Sequence, residues 1–143
     1  MTFNVLGSNP PRDWFPLNRR SELTASARAP IALEQILAAD PDLLGLQEFR
    51  PASAAGKRIV AGLSAYGWAV GTPRDTSPRE AVAVPLLYRT ERFELLDSGR
   101  KRLSRRGEGG AYLDRYAVWA RLRDRATGQE LLAFNYHAHP RQS

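Results

Sequence analysis

The sequence predicts an α/β domain built on a mixed, mostly antiparallel sheet with helices on one face. Three observations carry this. Ala29, Leu33, Ile36 and Leu37 recur at helical spacing and run straight into a short, mostly apolar stretch, Leu43 to Gln47. A second helical pattern follows, with Ile59, Val60 and Leu63 on one face. Beyond residue 80 the periodicity falls to two, and turn residues divide it into short runs. Strand, helix, strand, helix, then consecutive strands is an α/β order.

The elements follow in turn. Residues 2–7 read as a strand, and 8–22, with Asn9-Pro10-Pro11 and several charges, as a loop. Pro30 fits the first turn of a helix, where its missing N–H costs little, and Asp40-Pro41 stops that helix. Leu43 to Gln47 is short and apolar enough for a buried strand. Ser53 is placed to cap the second helix, which Tyr66-Gly67 ends. Trp68 to Val70 is a short strand, and residues 71–80 are a loop. Ala81 to Tyr88 is a strand with Pro85 marking an edge or bulge, joined through Arg89-Thr90-Glu91 to a strand from Arg92 to Asp97. Residues 104–110 are a Gly-rich basic loop. Asp114 to Arg123 alternates, with Tyr116, Val118, Ala120 and Leu122 on one face. Ala126-Thr127-Gly128 turns the chain into a return strand, Glu130 to His137. With all strands in one sheet, the face away from the helices lacks a cover, which predicts instability, aggregation or association through it.

A length of 143 residues suits one domain, residues 1–143, with its own core. No apolar run is long enough for a membrane span, and the start lacks the pattern of a signal peptide, so the default expectation is a cytoplasmic protein. With no cysteine, disulfides and thiolate metal sites are excluded. The net charge is +6, and Lys57 and Lys101 are the only lysines. Arginine binds phosphate in a fork geometry, so the excess admits a phosphate-rich partner. It equally fits an Arg- and Ala-rich composition of genomic origin.

The residues that could carry chemistry are few. Glu48 stands at the end of the buried strand, a rigid mount for a hard cation. Arg50 alternates to the same side if the strand continues. Asn4 is polar within an apolar strand, and either satisfies a neighbour or orients a metal-bound carboxylate. Arg115 opens a clean strand and is either a strand-end charge or a phosphate contact. Both histidines lie in Phe134-Asn135-Tyr136-His137-Ala138-His139-Pro140. His137, at a strand end, is able to exchange a proton near pH 7. Glu80 precedes a strand and could pair with that imidazole. His137 and His139 also have zinc-pair spacing, with no third ligand placed. Arg100-Lys101-Arg102-Leu103-Ser104-Arg105-Arg106 is the densest basic run. It suits backbone binding to nucleic acid and lacks the interleaved aromatics of a base-stacking surface.

Taken together, the pieces resemble the endonuclease/exonuclease/phosphatase superfamily, with its DNase-I-like fold. Thr2-Phe3-Asn4-Val5 resembles the family's opening strand. Asp42-Leu43-Leu44-Gly45-Leu46-Gln47-Glu48 resembles its Gln-Glu metal motif, and Arg50 falls where the deoxyribonuclease branch keeps a phosphate-binding Arg. Leu86-Leu87-Tyr88-Arg89 resembles the next central strand. Arg115-Tyr116-Ala117-Val118 resembles a strand opened by a substrate-binding Arg. His137-Ala138-His139-Pro140 sits at the family's first catalytic His, with Tyr136 in place of the common Thr. The resemblance implies a metal-dependent phosphoester hydrolase, of nuclease or phosphatase/phosphodiesterase type. Glu48 and Asn4 would hold Mg2+ or Mn2+, Arg50 and Arg115 would clamp phosphate, and His137 oriented by Glu80 would serve the proton transfer.

The family's later motifs, a Gly-Asp-Phe-Asn-like strand and a terminal Ser-Asp-His-like segment, have no counterpart here. The resemblance is therefore to an N-terminal half, half of a four-layer sandwich. The chain is expected to be a fragment of a longer product, or one that assembles with a second polypeptide, and to turn over little or nothing alone. The alternative is a non-catalytic, basic nucleic-acid-binding module.

Overall fold

The computed structural model describes residues 1–5, 24–70, 83–108 and 114–138. Its elements are β1 (Thr2–Asn4), α1 (Ala25–Ala39), β2 (Leu43–Gln47), α2 (Ala54–Gly62), β3 (Tyr66–Val70), β4 (Leu86–Arg89), β5 (Phe93–Ser104), β6 (Arg115–Asp124) and β7 (Glu130–Tyr136). They form two sheets where the sequence suggested one. The first has order β1-β2-β4-β3, with β1 parallel to β2 and the other pairs antiparallel; the second is the antiparallel meander β5-β6-β7.

The Thr24 hydroxyl accepts from the Ala27 N–H and starts α1 a turn earlier than Pro30 suggested. Pro30 therefore lies inside the helix. Asp40, in the left-handed region at φ 43°, closes it. Ser53 caps α2 as expected, its hydroxyl accepting from Gly56 N–H. Ala29, Ile36, Ala55, Ile59 and Leu63 from the two helices pack on Leu44, Leu46 and Leu87 of the first sheet. Burying a leucine or isoleucine side chain of this set contributes about 1.5–3 kcal/mol. Leu37, one of the periodic positions, is instead exposed.

The face away from the helices is covered, contrary to the sequence reading. Val118, Ala120 and Leu122 on β6, with Phe93 on β5, pack against Val70, Val84 and Leu86. The second sheet is thus a third layer on the first. The strand predicted over 92–97 runs to Ser104 and pairs with β6, not with β4. A hairpin through residues 89–91 does not form, because the chain leaves one sheet there and enters the other. Arg100 to Arg102 consequently lie in β5. Tyr66 already belongs to β3, and the strand predicted from Ala81 is Leu86–Arg89 among the described residues. Gly128, with φ 73°, makes the β6–β7 turn. The apolar face that remains open is the outer side of the second sheet, where Leu132, Phe134 and Tyr136 follow one another along β7. Among the described residues no helix is long and apolar enough to cross a membrane.

Candidate active site

Glu48 is mounted as the buried strand implied. Leu44 and Leu46 are fully buried, and Phe49, just past Glu48, is 1% exposed. The Leu46 N–H donates to the Pro85 carbonyl (3.1 Å) and the Phe49 N–H to the Ala83 carbonyl (3.0 Å). Backbone on both sides of Glu48 is thereby fixed. Glu48 itself has φ 56°. A left-handed backbone costs a non-glycine residue about 1–2 kcal/mol; strain of this kind concentrates at functional positions. Its effect is to turn the carboxylate out of the strand.

β1 runs parallel to β2 with Asn4 opposite Gln47. This pairing brings the Asn4 side chain to the acid, and its Nδ2 donates to Glu48 Oε1 (3.0 Å). On the other side stands His137, just past β7, with Nε2 4.0 Å from Glu48 Oε1. Arg115, the first residue of β6, places Nη1 3.5 Å from His137 Nδ1. A guanidinium only donates, so Nδ1 is the acceptor and the ring proton of the neutral imidazole sits on Nε2, facing the carboxylate. Burial lowers the His137 pKa below its ordinary value; Arg115 lowers it further, and Glu48 opposes both. The ring is therefore mainly neutral near pH 7.

Four of the six residues singled out in the sequence, Asn4, Glu48, Arg115 and His137, meet in one place. Arg50 does not join them: it is exposed, and among the described residues its hydrogen bonds are made by its carbonyl, which accepts from Ser53. The chain does not continue as a strand past Gln47, so the alternation that placed Arg50 beside Glu48 fails. Glu80, His139 and the loop 71–80 lie outside the described residues.

Three further residues belong to the neighbourhood. Arg28 of α1 is held with Nε and Nη1 buried, and the Glu48 carboxylate is close enough to raise its pKa against a larger lowering by burial. Gln47 and Asn135 are buried polar residues hydrogen-bonded to each other. An Asn on the inward register of β7, between Leu131, Ala133 and the strand end, was the available signal. Arg28 carried none beyond its place at the start of a helix.

For a divalent cation the donors present are one carboxylate and one amide, both hard. Among the described residues no group of three or more His, Asp or Glu forms a cage. That composition fits Mg2+, which keeps several waters and is commonly held by one or two carboxylates together with substrate phosphate. It does not fit a structural zinc site.

This arrangement of two packed sheets, with an acid ending a buried strand against a histidine ending another, is the endonuclease/exonuclease/phosphatase fold. Solved structures of that family match nearly the whole chain, while the chain spans about half the length of each. An endonuclease/exonuclease/phosphatase from Bacteroides vulgatus superimposes with a TM-score of 0.68 at 25% identity, over 95% of this chain and 50% of that one. A mannosyl-6-phosphatase from Bacteroides thetaiotaomicron gives 0.70 at 22% identity, over 93% and 48%. TDP2 from D. rerio, solved with a single-strand DNA product, gives 0.64 at 19% identity, over 99% and 46%. No protein-family sequence model and no curated protein sequence matches the chain.

Proposed function

We propose that Glu48, Asn4, Arg115 and His137 form part of the active site of a Mg2+- or Mn2+-dependent phosphoester hydrolase. One observation carries the reading: a strained, half-buried carboxylate and a neutral imidazole, mounted on different sheets, stand 4.0 Å apart beside an arginine. The fold shared with phosphatases and a DNA-bound relative supports it.

Glu48 would hold the ion, with Asn4 donating to Oε1 and so fixing the carboxylate rotamer. Bound there, the ion would neutralise charge on a phosphoryl oxygen and supply a Lewis acid. Arg115 is fixed by its place at the head of β6. Its guanidinium would pair with phosphate oxygens in a charge-assisted fork while holding His137 in its Nε2-protonated form. His137 would give that proton, or a hydrogen bond, to an oxygen gaining charge. Arg50, exposed two residues past Glu48, would reach phosphate only from the solvent side. Glu80 remains the proposed acid for orienting His137. Because the chain spans half the length of its structural relatives, turnover is assigned to these residues acting with a further polypeptide segment. The open apolar face along β7 is where association would occur.

The test is binding of inorganic phosphate to the 143-residue chain by calorimetry, with and without Mg2+. Binding that needs Mg2+ and is lost in Glu48→Gln and Arg115→Ala is expected. Binding indifferent to Mg2+ and to Glu48→Gln would overturn the proposal. A second reading, a basic nucleic-acid-binding module, is favoured by the exposed run Arg100-Lys101-Arg102 on β5. It predicts salt-sensitive oligonucleotide binding that survives Glu48→Gln and His137→Ala.

A further inference from the structure

The active-site pair spans two sheets, so its separation depends on how the sheets are held in register. Apolar packing between them is non-directional. It leaves sliding along the strands weakly opposed. At the end where the site lies, a buried polar side chain crosses the interface and is able to fix it; at the far end Arg92 links Asp42 to Asp124. Asn135 on β7 is 5% exposed and lies over β2. Its Nδ2 donates to the Leu46 carbonyl (2.7 Å) and the Pro85 carbonyl (2.8 Å), with the Val84 carbonyl at 3.2 Å. Its Oδ1 accepts from Gln47 Nε2 (2.6 Å), and that nitrogen also donates to Thr2 Oγ1 (2.9 Å). One amide thus ties β7 to β2, to the segment entering β4 and, through Gln47, to β1.

The slot for this amide is built into β2. A Cβ on Gly45 would come within 2.7 Å of the Asn135 side chain, so a residue larger than glycine there would push it out. The placement matters for the site. Asn135 stands two residues before His137, and Gln47 one residue before Glu48. Buried hydrogen bonds left half-made are costly, which gives the pin a single satisfied position.

We propose that Asn135, with Gln47, is a positioning residue that sets the separation and alignment of Glu48 and His137. Its consequence for hydrolysis rests on the function proposed above; the geometric claim does not.

The experiment is an NMR titration of the His137 ring in the 143-residue chain, assigned with His137→Gln. In the otherwise wild-type protein, Glu48→Gln removes a negative charge 4.0 Å from the ring and is expected to lower the His137 pKa. In an Asn135→Ala background the same Glu48→Gln change is expected to lose at least half of that effect. Leu122→Ala is the control, since it weakens the sheet interface from the opposite end and should leave the effect whole. Lowered thermal stability in Asn135→Ala, with the Glu48 effect undiminished, overturns the proposal and leaves Asn135 a merely structural group. Should Asn135→Ala fail to fold, Gln47→Met is read in its place with the same two outcomes. The wild-type protein alone supplies a further check: the Asn135 side-chain NH2 protons must exchange slowly with solvent, and rapid exchange contradicts a pinned amide. Loss of the Glu48 effect in a protein that shows no Mg2+-dependent phosphate binding would remove the proposed function and keep the pin.

Discussion

The two ends of the packed sheets both pair carboxylates with cationic or ring nitrogens, yet they are built to opposite ends. At one, where β2 starts and β6 finishes, Asp124 has both carboxylate oxygens engaged. Its Oδ1 accepts from the Ala126 and Thr127 N–H groups (2.9 and 3.0 Å), and its Oδ2 from Arg92 Nε (3.2 Å). Arg92 also pairs with Asp42, and Arg89 pairs with Asp40 while lying over the Tyr66 ring. At the other end, where β2 finishes and β7 stops, Glu48 accepts a single hydrogen bond among the described residues. Its backbone is strained and its nearest ring is mainly neutral. A carboxylate with both oxygens engaged by backbone N–H groups and a guanidinium locks a turn. One left with open lone pairs, on a backbone held in a costly conformation, is available to a ligand.

Variants should separate the two ends. The largest effect is expected from Leu122→Ala in the core near the Asp124 end, a loss of about 2–5 kcal/mol in folding free energy. Chemical denaturation measures it, and phosphate binding in the remaining folded protein should not change. Next, Asn4→Ala should weaken divalent-ion affinity by about 10–100-fold, as removal of a group that orients a ligand does. Its stability should stay within about 0.5 kcal/mol of wild type, since Asn4 is exposed. An equal loss of stability and affinity would merge the two ends into one structural network.

The pH dependence sharpens the contrast. Hydrogen bonds from Thr127 and Ala126 and the Arg92 guanidinium lower the Asp124 pKa from its ordinary 3.8, against opposition from burial. The unfolded chain then holds more protons than the folded one as pH falls through that range. Stability present above the ordinary value is lost on going down through the depressed one, and Asp124→Asn should remove that acid slope. His137 has the same sign at higher pH. Burial first, then Arg115, lower its pKa from 6.5. Its contribution is therefore full above the ordinary imidazole value and is lost as pH falls through it toward the folded value. Unfolding measured across mild acid in His137→Gln should show a shallower slope than wild type. This is the smallest effect, because the ring is partly exposed.

Much of the site was legible because it rests on local signals. Leu43 to Gln47 is apolar enough to be interior, so the acid after it had to stand at a strand end. The only imidazoles sat together at another. What was missed depends on long-range placement. Nothing local in Phe93 to Ser104 says whether it pairs with β4 or with β6, so the second sheet, and with it the cover of the first, could not be read. Arg50 leaves the strand alternation because β2 stops at Gln47, and Glu48 there takes a positive φ that no residue pattern announces. Asn135 is marked only by its inward place on β7 beside Leu131 and Ala133; that it faces Gly45 of the other sheet depends on how the sheets pack.

The central claim is that Glu48 holds a divalent ion close to His137. Adding Mn2+ to the 143-residue chain and watching the His137 ring resonances tests it most directly. The account predicts strong paramagnetic broadening of those resonances in wild type and little in Glu48→Gln. Resonances that stay sharp in wild type, or broaden equally without the carboxylate, would contradict it.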